Sequence, residues 1–139
     1  NKTLNDKARY YFQQVLDKNQ DNLDVKAKVA MTYVATENPM QGISLLREIL
    51  QKDPGNETAL YNMGILSMQS GQYEKAVARF EELLKVNPGH ANGRFYLGLA
   101  FLNTGKKQEA KVEFLKAKEL EKDPAFQAIV DGYLKEIKN

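Results

Sequence analysis

Apolar residues recur along this chain at intervals of three and four, the spacing that gathers them on one side of a helix. Val77, Phe80, Leu83 and Leu84 form one such stripe, and Leu60, Met63 and Met68 belong to another. Gly71 lies between the two, where a helix C-terminus needs a residue tolerant of positive φ. Asn38-Pro39 reads as a second start signal, with Asn as N-cap and Pro at the first helical position. The pattern therefore predicts helix, short turn, helix. Towards the N-terminus, Thr3 to Lys18 predicts one helix with Tyr11, Phe12, Val15 and Leu16 turned inward. Towards the C-terminus, Pro124 to Lys138 predicts another, with Phe126, Val130, Tyr133 and Ile137 as its apolar stripe. Taken together these patterns predict an all-α chain of about eight helices and no sheet.

The helices repeat. Pro54 and Pro88 each open a Pro-Gly pair, and the interval from one to the other recurs along the chain. The same shift relates Ala30, Gly64 and Gly98, a set of small residues, and Gly42, Ala76 and Ala110, a second such set. Large residues follow the same rule: Val29, Met63 and Leu97, then Leu46, Phe80 and Phe114. Gly64 in mid-helix costs about 1 kcal/mol relative to Ala. A small residue held at that position lets the paired helix approach closely, and the large ones fill the space around the contact. One helix pair cannot bury its apolar face alone, so the units must stack.

Small-residue sets, aromatics and a closing proline on this period resemble tetratricopeptide repeats. Residues 57–90 match best, through Leu60, Met63-Gly64, Gly71, Tyr73, Ala76, Phe80, Leu83 and Pro88. Residues 91–123 follow, with Pro124 two residues late, and residues 23–56 form a weaker unit that has Glu37-Asn38-Pro39 in place of the mid-repeat Gly. Residues 1–22 then read as the second helix of a partial repeat, and 124–139 as a capping helix. The resemblance implies a single domain, a right-handed α-solenoid of antiparallel helix pairs. It also implies a concave groove, lined by the first helix of each pair, that receives peptides. Carried over position by position, the peptide-binding residues are Tyr61, Asn62, Ile65, Met68, Asn92, Phe95, Leu99 and Asn103. Further groove positions fall at Asp24, Ala27, Met31, Val34, Ala35, Thr58, Gln69 and Leu102. This strip is apolar, so its expected partner is a protein or peptide bearing apolar or aromatic groups, with the asparagine amides aligning its backbone. The same residues also suit a packed core, covered by a neighbouring first helix or by the terminal helix. The basic clamp with which some relatives hold acidic tails does not match: its positions carry Ala27, Met31, Asn62, Asn92 and Tyr96, and only Asn62 agrees.

Composition adds exclusions. Lys plus Arg total 20 against 18 for Asp plus Glu, a net charge of +2 that implies neither a nucleic-acid nor a membrane surface. There is no cysteine, hence no disulfide, thiolate metal site or cysteine nucleophile. The longest apolar stretch, Tyr96 to Leu102, is too short to cross a bilayer. His90, the single histidine, sits after Pro88-Gly89 and reads as a turn or capping residue rather than a ligand or base. Gly105-Lys106-Lys107 is no phosphate loop, since Ala100 replaces the first Gly and Lys107 the Ser or Thr. Asn56-Glu57-Thr58 fits a glycosylation sequon, but Asn56 reads better as a helix N-cap. The expectation is a binding module without catalytic residues, metal or cofactor, serving assembly of a larger bacterial complex. Competing readings are a self-associating oligomerisation module, because an incomplete N-terminal repeat leaves Tyr11, Phe12, Val15 or Leu16 partly uncovered and suits weak self-association, and a regulatory fragment of a larger protein. The compartment is open between cytoplasm and periplasm, with an anchor in a preceding N-terminal segment compatible with either.

Overall fold

The computed structural model describes residues 2–18, 22–35 and 39–137. Those residues form eight helices and no strand: α1 (Lys2–Lys18), α2 (Leu23–Val34), α3 (Pro39–Lys52), α4 (Glu57–Gln69), α5 (Tyr73–Val86), α6 (Ala91–Asn103), α7 (Lys107–Leu120) and α8 (Pro124–Ile137). The expected all-α fold of tandem helix pairs is thus present. The chain divides into two compact units, Asn1–Ala59 and Leu60–Asn139, with the division inside α4.

In the first unit, Asn22 caps α2 by accepting the Val25 N–H at 3.1 Å. Pro39 opens α3, as expected, while Glu37 and Asn38 lie outside the described residues. The helices α2 and α3 close on Gly42, where an added Cβ would collide with the Ala30 carbonyl and lie 2.6 Å from Val34 Cγ2. Val29, Ala30, Leu46 and Ile49 are buried. An ion pair at 3.5 Å joins Lys26 to Glu48 across the same two helices. Asn56 accepts the Ala59 N–H at 2.9 Å, which makes it the N-cap of α4.

The N-terminal helix turns its expected apolar stripe inward only in part, and leaves the rest uncovered. Leu16 is buried and Phe12 half-buried, but Tyr11 is 63% exposed and Val15 43% exposed. Shifting the repeat back assigns α1 every inward position of a second helix, and such a helix is buried between two first helices. α2 supplies one of these, holding Arg9 4.9 Å over the Tyr33 ring. Tyr11 instead meets Tyr10 edge-on at 5.7 Å.

In the second unit the sequence repeat becomes a geometric one. Gly71 (φ +75°) and Gly105 (φ +78°) end α4 and α6 in the left-handed region. Each end makes the same two bonds: Gln72 N–H to Ser67 O and Gly71 N–H to Met68 O, then Lys106 N–H to Phe101 O and Gly105 N–H to Leu102 O. This is the Schellman arrangement, which satisfies carbonyls that the last helical turn leaves unpaired. A Cβ on Gly64 would lie 2.5 Å from the Phe80 ring, and one on Gly98 2.7 Å from the Phe114 ring. Each pair is therefore locked by an aromatic edge set into a glycine notch. Helix α8 closes the unit. Its Val130 and Ile137 join Ala110 and Phe114 in one buried cluster, and Tyr133 stacks on Phe114 at 5.5 Å. Phe126 also packs there, so the four-residue stripe read from the sequence faces α7 and α6.

Candidate protein-interaction face

The eight candidate contact residues all lie on α4 and α6, within the second unit. Helix spacing places Asn62, Ile65 and Gln69 along one flank of α4 and Asn92, Phe95, Leu99 and Asn103 along the equivalent flank of α6. Aromatic contact joins the two helices, with Tyr61 and Tyr96 edge-on at 5.9 Å.

Tyr61 belongs to a packed group. Its ring meets Phe80 at 6.3 Å and His90 at 5.1 Å, and Phe80 stacks on Tyr96 at 6.0 Å. Burial and the neighbouring Tyr96 hydroxyl push the Tyr61 phenol up to about 12. Losing its proton would leave a charge in a poorly solvated site beside a second phenol.

Phe95 and Leu99 go further towards core. Both pack on the cluster built by α7 and α8, as does Leu102. Phe95 meets Phe114, Phe126 and Tyr133, each at 5.8 Å. The apolar flank of a first helix is thus also its seam with the next first helix. Ile65 and Met68 are half-buried, and Asn62 likewise. Asn92 and Asn103 are exposed, and the Asn103 amide donates to Leu99 O at 2.9 Å. The structure therefore brings together half-buried apolar edges with amides beside them.

His90 is the N-cap of α6: its Nδ1 accepts the Gly93 N–H at 2.8 Å, so its cap role is met by a ring nitrogen. Gly93 is kept small by the same corner, since a Cβ there would lie 2.9 Å from Leu83 and 3.2 Å from His90 Nδ1.

Sequence reasoning missed the ion pair between Arg94 on α6 and Glu113 on α7, 3.0 Å apart with side chains 16% and 11% exposed. The signal was a break in the period. Leu60, fully buried, holds the position that Arg94 holds one repeat later. A cation at a core position must find a partner, because an unpaired buried charge is costly.

Two tetratricopeptide repeat models match the chain, one over residues 37–79 and one over residues 61–124. No curated protein matches it. Among solved structures, MamA of AMB-1 is 26% identical, with 98% of this chain and 75% of that one covered at a TM-score of 0.75. MamA of MSR-1 is 24% identical, with 98% and 79% covered at a TM-score of 0.73. YrrB, described as a TPR protein with an unusual peptide-binding site, is 18% identical, with 94% and 68% covered at a TM-score of 0.75. The two models together span residues 37–124, and the chain belongs to the tetratricopeptide repeat family.

Proposed function

We propose that this protein is a non-catalytic interaction module that holds a peptide or helix of another protein along α4 and α6, in assembly of a larger complex. One observation carries the reading. Ile65, Met68 and Tyr61 keep part of their apolar surface open, and Asn62, Asn92 and Asn103 stand on the same two helices. Apolar edges can desolvate aromatic or aliphatic side chains, while amides offer donors and acceptors to any peptide backbone. The family and the peptide-binding description of YrrB support a role in protein binding. In this reading the repeats run 23–56, 57–90 and 91–123, flanked by 1–22 and 124–139.

Phe95 and Leu99 act in this scheme mainly by setting the seam, whereas Ile65, Met68 and the asparagines meet the partner. A displayed library of linear peptides panned against the chain tests it. Selected peptides should be rich in aromatic and aliphatic residues. Their affinity should change little between low and high salt, because screening acts on charge pairs. Ile65→Asp should weaken binding at least about tenfold, or about 1.4 kcal/mol, with the thermal transition retained. Binding that survives Ile65→Asp unchanged, or that high salt abolishes, would place recognition on another face.

A further inference from the structure

Asn22, Asn56 and His90 hold one repeat position, directly ahead of α2, α4 and α6. Each accepts the backbone N–H three residues on: Val25 at 3.1 Å, Ala59 at 2.9 Å and Gly93 at 2.8 Å. The residue before that amide is Asp24, Thr58 and Asn92 in turn. The third cap differs from the other two. An imidazole replaces a carboxamide, and its size explains the glycine: a Cβ at residue 93 would lie 3.2 Å from His90 Nδ1 and 2.9 Å from Leu83. Placing glycine there creates Asn92-Gly93, and the pair Asn-Gly occurs nowhere else in the chain.

That pair carries its own chemistry. The backbone nitrogen of Gly93 can attack Cγ of Asn92. The new N–Cγ bond closes a five-membered imide. The Cγ–Nδ2 bond breaks, and Nδ2 leaves as ammonia with the proton that the Gly93 nitrogen gives up. Water then opens the imide at either carbonyl, which leaves aspartate or isoaspartate. Gly93 has no side chain to obstruct the attack, and Asn92 is exposed to water. Two features oppose the step. The ring closes only when the backbone at Asn92 leaves the helical region, and Asn92 lies in the first turn of α6. The attacking nitrogen is also the donor that His90 holds.

We propose that Asn92-Gly93 is a self-modifying site, and that the His90 cap is the latch that sets its rate. Reaction waits on opening of the first turn of α6, and helix ends open at far lower cost than cores do. Aspartate formed there suits the fold. Its charge meets the positive end of α6, whose first turn holds no acidic residue, and α2 already carries Asp24 at the matching position. Isoaspartate routes the backbone through Cγ, adds an atom to the first turn and shifts Gly93 away from His90. Either product places a carboxylate on an exposed flank of α6 where a neutral amide stood.

Incubation of the full chain in mildly alkaline buffer, followed by peptide mapping and mass spectrometry, tests the proposal. The peptide holding residue 92 should convert slowly from amide to acid and accumulate isoaspartate, while those holding Asn62 and Asn103 keep their amides. Asn92→Gln should abolish the signal, since the larger ring it would need closes far more slowly. His90→Ala frees the attacking nitrogen and should speed conversion about fivefold, the factor that loss of an N-cap corresponds to. His90→Asn should return the rate to near the parent's. Asn56→Ala removes the matching cap of α4 and should leave the rate at residue 92 unchanged. Equal acceleration by Asn56→Ala would show that the reaction follows unfolding of the whole chain, and would overturn the assignment. Slower conversion in His90→Ala would make the imidazole a base rather than a latch, with the same consequence. So would an Asn92 amide that lasts as long as those of Asn62 and Asn103. The peptide-binding reading of α4 and α6 is tested by Ile65→Asp, and this chemistry does not depend on it.

Discussion

Phe114 on α7 and Phe12 on α1 hold the same repeat position, yet one is fully buried and the other half-open. Phe114 has Gly98 beneath it, Tyr133 stacked on it and Phe95 against its edge. Phe12 has α2 on one side and a hollow on another. The difference does not lie in the residue or in its helix, since both helices carry Ala one turn earlier, at Ala8 and Ala110. It lies in how many neighbours stack on it. Burial in a repeat protein is a property of the array, and each position takes its energy from the helices on either side.

The largest expected effect tests that contrast directly. Phe114→Ala should cost about 3–5 kcal/mol, the transfer term plus a cavity that Tyr133 and Val130 cannot fully close. Phe12→Ala in the dilute chain should cost less than about 2 kcal/mol, because part of the ring is already in water. Urea midpoints for the two variants measure the gap. Equal losses would mean that α1 is as deeply embedded as α7, and the contrast would fall.

A second pair sharpens the same point at the notches. Gly64→Leu would drive a side chain into the Phe80 ring and should destabilise by about 1–3 kcal/mol or more. Ala76→Leu, on a fully buried neighbour in α5, should behave alike, and Glu82→Leu, on the exposed side, should not. Gly132→Leu should stabilise by up to about 1 kcal/mol, because a better helix former replaces glycine in open space. Opposite signs for two glycines on one period would show that the notch, and not the glycine, is what the array uses.

Much of this was legible in the chain because the fold repeats. Small and large residues on one period disclose which positions meet, and Gly71 and Gly105 announce their turns through the left-handed backbone they adopt. His90 and Asn56 were legible as caps from their place before a helix. What a period does not disclose is which neighbour covers an apolar flank. The register puts Tyr11 and Val15 on the inward stripe of α1, but it is silent on how many helices pack there, and both are exposed. Phe95 and Leu99 have the spacing of groove residues and also of a seam, and only the position of α8 shows that they are packed. Arg94 and Glu113 depart from the period, so the repeat does not disclose that they pair.

A cap offers a smaller test of covered against open surroundings. His90→Ala removes the acceptor for the Gly93 N–H in a corner already filled by Leu83 and Tyr61. The expected cost is about 1 kcal/mol, with His90→Asn restoring most of it, since asparagine is a strong N-cap. Asn22→Ala at the α2 cap, whose bond is exposed, should cost less, because water can take over the donor. Chemical denaturation of the three variants ranks them, and an Asn22→Ala loss larger than that of His90→Ala would break the ordering.

The last test uses protons. Tyr61 shares the aromatic group around Phe80, and its phenol is pushed up to about 12 from the ordinary 10.0 by burial first and Tyr96 second. The unfolded chain therefore releases this proton at lower pH than the folded one. Below the ordinary value both states keep it, and the contribution to stability is fully present. As pH rises from there to about 12 the unfolded state gains by ionising alone, and that contribution is lost. Tyr61→Phe has no proton to lose, so its stability should fall less steeply over this window than the parent's. The comparison is between slopes of stability against pH, which cancels whatever the missing hydroxyl costs at neutral pH. The same slope in both proteins would mean that the Tyr61 phenol is solvated in the folded state, and the aromatic group would then be an open surface rather than a covered one.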